Sequence, residues 1–498
     1  MKKLLAMLFF FIILAPWGCG GNKGNTPSAP AAPAHLAAVA GNAQVILKWN
    51  ASAGAASYKV YGKLSSDPSF RQIGTTSAIT FTVTGLTNGQ TYFFAIIAIN
   101  AAGSSGYSNE AGATLIAGAP TDLTGVSGDQ QASLSWNTTI GATSYNVYFS
   151  TASGGPYTKV HSASGASFTT AGLTNGSRYY FVVTAVNSAG ESGYSNETSV
   201  TPVFKKVYPS GGYGPVKIAI DSTKNIWVTN FSSFTVTKLS NNGIIIGTYL
   251  AGCGPGDIAI SNTGNVWVTN RCSNDVAELG IGVYPAGTSL SYPVSIAIDS
   301  VGNVWVGNTS GVAELSPTGA QINSYAVGSN FFLFYPASMA IDNSNNLWIV
   351  NEIYSDVTEL SPTGTTIGTY AVGYTPIGIA IDSTGNVWVV NNAGGNLTKL
   401  SPAGKTIGTY NVGTSPNDIA IDASGNVWVT TYWSNTIREL NSDGTIIGTY
   451  AVGANPLGIA IDSTGNVWVA DYGDNTVTEL IGAATGPQYF PYTGPQWP

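Results

Sequence analysis

The sequence predicts an all-β chain in which two tandem β-sandwiches precede a seven-bladed β-propeller, and three observations carry that reading. Only 9% of the 498 residues are charged, whereas glycine (61 residues) and tyrosine (26) abound, the mixture expected of many short strands joined by tight turns. Residues 35–115 and 122–202 align at a constant offset of 87. From Pro215 onward a unit of about 40 residues recurs, marked by Pro215, Pro255, Pro293, Pro336, Pro376, Pro416 and Pro456.

The chain opens with Lys2 and Lys3, then an apolar run from Leu4 to Leu14. As a helix, that run is too short to span a bilayer core of about 30 Å, and reads as an export signal over residues 1–18. Gly18-Cys19-Gly20 resembles a bacterial lipobox, although Pro16 stands where that motif has leucine. The resemblance implies that Cys19 is acylated and that the membrane is reached by this lipid anchor only, with the protein facing periplasm or cell surface. Residues 19–33, rich in Pro, Ala and Ser, read as a tether.

The two aligned repeats occupy 34–116 and 117–202. Each alternates apolar and polar residues over short runs, as in Val45-Ile46-Leu47-Lys48-Trp49, the period of half-buried strands. Trp49 pairs with Trp136 in the alignment, and Leu86 and Leu173 each lie six residues before a tyrosine. The runs Tyr92, Phe94, Ile96, Ala98, Asn100 and Tyr179, Phe181, Val183, Ala185, Asn187 follow. These residues resemble fibronectin type III domains, which implies a corner tyrosine whose hydroxyl bonds an upstream backbone group. Neither copy holds Arg-Gly-Asp, and a role as spacers is expected of both.

The clearest copy of the longer unit runs from Pro376 through Ala380, Asp382, Gly385, Asn386 and Trp388 to Tyr410. It predicts four strands, with alanine on the narrow first strand and tryptophan on the second. An Asp-Ser-Thr-Gly-Asn turn lies between these two, and a Ser-Pro-x-Gly turn between the third and fourth. Units of this kind are propeller blades. The motif resembles the NHL and virginiamycin B lyase (streptogramin lyase) type of propeller. Seven first strands imply seven blades over 203–482; a six-bladed disc with a decayed repeat is the alternative. Lys205-Lys206-Val207-Tyr208 is expected to complete the last blade, and residues 483–498 to form an irregular tail.

The resemblance to streptogramin lyases implies a propeller histidine with acidic and metal-binding neighbours. Here the two histidines, His35 and His161, both fall in the sandwich region. The family's catalytic residue thus has no counterpart, and a non-enzymatic binding or scaffold protein is expected; a metal-assisted lyase or lactonase-type hydrolase at the axial mouth is the alternative. The turn aspartates Asp221, Asp299, Asp342, Asp382, Asp422 and Asp462 sit one per blade and read as turn formers. Glu278, Glu314, Glu359, Glu439 and Glu479, alternating with Lys238 and Lys399, read as a solvated face of the third strands. No cofactor is expected, with a divalent cation at the axial mouth left open. At net charge −7 no basic stripe is available, so nucleic acid is an unexpected partner.

A carbohydrate or an extracellular protein is the expected ligand, and the protein is expected to act as a monomer. The candidate face is the one where fourth-to-first and second-to-third loops emerge, because blade-to-blade variation concentrates there. It carries Phe231, Phe234, Arg271, Glu352, Tyr354, Tyr432, Trp433, Tyr472 and Asp474, with Phe331, Phe332 and Tyr335 in an insertion before blade four. Nearer the axis a polar mouth is expected from Asn230, Asn270, Asn308, Asn351, Asn391, Thr431 and Asp471, with Lys217, Asp257 and Asp418 at its rim; the alternative is that the Asn ring caps strand ends. Cys253 and Cys272, in neighbouring loops of blade two, are expected to form a disulfide, as exported pairs tend to.

Overall fold

The computed structural model describes residues 28–285, 292–327 and 336–485. The chain divides into two compact units, one holding the first sandwich and the other the second sandwich with the propeller.

In the first unit the strands Ala34–Gly41, Gln44–Asn50 and Thr80–Thr84 form one sheet, and Arg71–Thr76, Ser57–Leu64 and Thr91–Asn100 are central to the other. Alternation puts Leu36, Val45, Leu47 and Trp49 against Tyr58, Val60, Phe94 and Ile96 between the sheets. The second sandwich repeats the plan. Both corner tyrosines behave as expected: the Tyr92 hydroxyl accepts from the Thr87 N–H at 3.0 Å and Tyr179 from Thr174 at 3.1 Å. A second shared device was not foreseen from sequence. Asn109 grips both backbone groups of Leu36, and Asn196 those of Leu123, each bond being 2.9 Å.

The propeller has seven blades of four antiparallel strands, six of them separate four-stranded sheets and the remaining one, blade six, part of a seven-stranded sheet. In blade five these strands are Pro376–Ile381, Val387–Asn391, Asn396–Leu400 and Thr406–Asn411, from axis to rim. First strands touch their neighbours in a closed ring, which makes them the lining of the axis. The last blade takes its outer strand from Phe204–Pro209, antiparallel to Thr476–Ile481, so the early segment closes the ring as expected.

The core lies between blades. Trp348 of blade four packs on Val387 and Val389 of blade five, and Trp468 of blade seven on Ile226 and Val228 of blade one. Each tryptophan ring is also met by the fourth-strand tyrosine of its sheet at 5.2–5.8 Å, with Tyr208 of the closing strand serving Trp468.

That packing corrects one expectation. The third-strand glutamates are buried, because their register sets them beside the tryptophan, as in Trp348↔Glu359, and the tyrosine covers both. The burial is tolerated because Tyr208, Tyr284, Tyr325, Tyr370 and Tyr450 donate to Glu479, Glu278, Glu314, Glu359 and Glu439 at 2.7–2.9 Å. Lys238 and Lys399, at the same register, lie 4.6 Å over the rings of Trp227 and Trp388. The turn aspartates do form their turns: one oxygen of Asp382 accepts from the Asn386 N–H at 2.9 Å. Its other oxygen takes the Trp388 indole N–H at 3.2 Å, so the same residue also orients the ring.

Candidate functional site

The residue two places after each blade-opening proline faces the axis region, in the order Lys217, Asp257, Ser295, Ser338, Gly378, Asp418, Gly458. Lys217 and Asp418 meet at 2.8 Å, although blade seven stands between their blades. Gly458 of that blade has no side chain to intervene. The other oxygen of Asp418 accepts from the Ile459 N–H at 3.2 Å, and Asp257 accepts from the Ile258 and Ile296 N–H groups, both at 3.0 Å. Each aspartate therefore also fastens its blade to the next. Burial opposes the Lys217 charge, but Asp418 and Asp257 override it and raise its pKa. Burial raises the Asp257 pKa against the pull of Lys217. This is the donor chemistry of an ion pair, and it does not suit a divalent cation: the carboxylates already face an ammonium and backbone N–H groups. Among the described residues no group of three or more His, Cys, Asp or Glu side chains is placed to hold a metal.

The expected Asn mouth is not there. Asn230, Asn270, Asn308, Asn351, Asn391, Thr431 and Asp471 are all buried, one shell out from the axis, because they end second strands while first strands line the channel. They cap strands: Asn391 donates to Asn396 and Thr398 at 2.8 and 2.9 Å and accepts from the Gly373 N–H at 3.0 Å. Burial lifts the Asp471 pKa to about 7.

Outward of the ion pair, the Arg271 guanidinium lies 6.0 Å from the Phe231 ring centroid. Glu352 is half-buried; burial raises its pKa and Arg271 pulls it back. Tyr432 and Trp433 form a 3₁₀ turn, Tyr432–Ser434, with their rings edge-to-face at 4.8 Å. Trp433 is 68% exposed, and Phe234 and Tyr472 are also exposed. Tyr354 is partly buried. Asp474 is tied to the loop beside it, accepting from the Ala454 N–H at 2.6 Å. Phe331, Phe332 and Tyr335 lie outside the described residues, as does Cys19. Sequence reasoning missed Tyr213 (70% exposed), Tyr374 (76%) and Tyr292. All three directly precede a blade-opening proline or stand two residues before one, a position that could have revealed them. Together these side chains ring one face with aromatic surface.

The expected disulfide is absent. Cys253 and Cys272 are free thiols, held side by side by the Cys272 N–H donating to the Cys253 carbonyl at 3.1 Å. Contact with the Cys272 thiol raises the Cys253 pKa.

Comparison with known proteins fits this architecture. The sequence pattern of the fibronectin type III domain matches residues 118–201, and that of the virginiamycin B lyase family matches residues 201–480. A streptogramin B lyase structure superposes with a TM-score of 0.50 at 21% identity, covering 56% of this chain and 97% of that one. Virginiamycin B lyase from Staphylococcus aureus gives 0.50 at 20%, covering 56% and 99%. At those identities the likeness is one of fold. Two amylopullulanases match over about a hundred residues. That of Thermoanaerobacter thermohydrosulfuricus is 42% identical over 19% of this chain, and that of Thermoanaerobacterium saccharolyticum 35% over 21%. The chain spans only 7% and 8% of those proteins. With its matched propeller filling more than half of the sequence, the chain belongs to the virginiamycin B lyase family.

Proposed function

We propose that the propeller is a binding module, which keeps the family's fold without its histidine chemistry and recognises a carbohydrate or an extracellular protein on its aromatic-ringed face. The observation that carries the reading is the pairing of that face with a propeller lacking histidine. A histidine-to-alanine variant of the Staphylococcus aureus lyase is described as catalytically inactive, and residues 201–480 contain no histidine. Exposed aromatic rings supply contact area at low entropic cost and stack on sugar rings or apolar protein surface. The reading includes no resident metal. It places the protein outside the cytoplasm, anchored through Cys19 and acting as a monomer, with the first sandwich as a spacer.

The test is a glycan array probed with the full chain and with the Tyr432→Ala, Trp433→Ala double variant, alongside incubation with quinupristin. Selective glycan capture that the double variant loses by about tenfold or more is expected, with quinupristin recovered intact. Cleavage of quinupristin would overturn the binding reading in favour of the lyase.

A further inference from the structure

A cavity lies inside the unit that holds the second sandwich and the propeller, adjoining through Ser434 the Tyr432–Ser434 turn of the aromatic face. It has a volume of about 570 Å³ and is walled by sandwich residues Thr124, Tyr180 and Thr198 on one side and by blade-six residues Thr436, Arg438 and Thr449 on the other.

Arg438 is what sets this cavity apart. Four of its six counterparts are Thr237, Thr358, Thr398 and Thr478, each bonded to the Asn or Asp that ends the second strand of its blade; the other two are Ala277 and Ala313. Blade six departs at both places. Thr431 stands for the Asn and satisfies itself with Thr436 and Ser434 at 2.7 Å, and an arginine stands for the Thr. Its Nε is buried with no hydrogen-bond partner, and no ion pair reaches the guanidinium among the described residues. Burial lowers its pKa with no carboxylate to oppose the effect. The adjacent carboxylates are taken. Glu439 receives Tyr450 and Asn426. Glu197, on the sandwich wall, receives Ser153, the Gly154 N–H and Tyr157. Arg438 is half-buried, and a guanidinium nitrogen buried without a partner costs stability, so its retention points to a ligand.

We propose that this cleft binds an acidic sugar, a uronic-acid unit of a polysaccharide, with Arg438 pairing its carboxylate. A guanidinium grips a carboxylate through two parallel bonds. The hydroxyls of Thr198 and Thr449 offer donors and acceptors to a sugar, while those of Thr124, Ser434 and Thr436 are bonded to Ser135 and Thr431, and Tyr180 lines the same cleft. The volume falls within the range of small-ligand sites. One guanidinium in a cleft that Glu197 also lines suits a monoanion better than a phosphate dianion. An acidic peptide would need an open strand edge, yet Ser127 of the sandwich edge is already paired to Tyr450 of blade six.

The cleft shares Ser434 with the turn that carries Tyr432 and Trp433, and calorimetry on the full chain with variants of either site separates the two. Three probes are titrated: an oligogalacturonide, the neutral galacto-oligosaccharide and a hexaglutamate peptide. The oligogalacturonide should bind at least about tenfold more tightly than either other probe, and Arg438→Gln should remove that advantage. Should Arg438→Gln fail to fold, Thr198→Trp fills the cleft from the sandwich wall and must abolish the same binding. Undetectable oligogalacturonide binding, equal affinity for the peptide, or full affinity in either variant overturns the proposal. Loss in Tyr374→Ala, Tyr472→Ala with retention in Arg438→Gln does so too, and would assign the sugar to the aromatic face.

Discussion

Carboxyl groups, some buried and some bonded in turns, explain much of the propeller's pH behaviour. Burial raises the Glu439 carboxyl to about 7, against the hydrogen bonds from Tyr450 and Asn426 and the charge of Arg178 that favour its ionised form. Asp471 is likewise raised to about 7. A group whose folded pKa exceeds its unfolded value holds a proton that the unfolded chain has released. Its contribution is therefore full below the unfolded value and lost as pH climbs through the folded one. Asp221, Asp382 and Asp462 behave oppositely: hydrogen bonds from turn residues and the tryptophan outweigh burial and pull them below the usual carboxylate range. Their contribution is lost only in strong acid. The two signs together place greatest stability in mild acid. The unfolding midpoint should thus be higher near about pH 5 than near about pH 8, and Glu439→Gln, which cannot ionise, should lose less across that interval. A midpoint that rises with pH, or an unchanged drop in the variant, would contradict this assignment.

At the scale of the element, the seam between blades is built from a tyrosine of one sheet and a turn glycine of the next. Gly404 has φ +73, and a Cβ there would lie 1.9 Å from the Tyr370 ring. Gly425 has a similar φ of +83 but open space around it. The pair separates backbone strain from packing. Gly425→Ala should cost about 1 kcal/mol and Gly404→Ala roughly 3 kcal/mol or more by denaturant titration; equal losses would show that the tyrosine contact is dispensable. The parts of a blade legible in sequence were those set by period and turn chemistry: the small alanine, the large tryptophan, the Asp and Gly of the turns. The glutamates were misread because alternating charge on a strand resembles a wet face, and only the register with tryptophan reveals burial. Asn391 and its equivalents were misplaced for a related reason. Repetition shows that they share a position, whereas distance from the axis depends on which strand is innermost. The Lys217–Asp418 pair joins blades that are not neighbours, and nothing in a linear repeat reports that.

At the scale of the whole molecule, the sequence reads as beads of two kinds, and the spacer reading of the second sandwich needs revision. Its strand Thr124–Gly128 continues the sheet of blade six through Ile446–Ala451, giving seven strands across both domains. The linker is part of that join. The Val203 N–H donates to the Gly128 carbonyl at 3.2 Å, and its side chain, 5% exposed, packs in one cluster with Trp428, Val452 and Leu480 of blades six and seven. An ordinary linker would tolerate a charge at this position; here a carboxylate would be buried among apolar groups without a partner. Val203→Asp in the full chain should therefore cost about 3 kcal/mol or more, seen as an earlier loss of propeller tryptophan fluorescence in urea. Val207→Asp, four residues on and 49% exposed, is the matched control and should change stability by no more than about 0.5 kcal/mol. A native-like Val203→Asp would mean that the second sandwich hangs free of the disc, and the cleft at Arg438 would lose one of its walls with it.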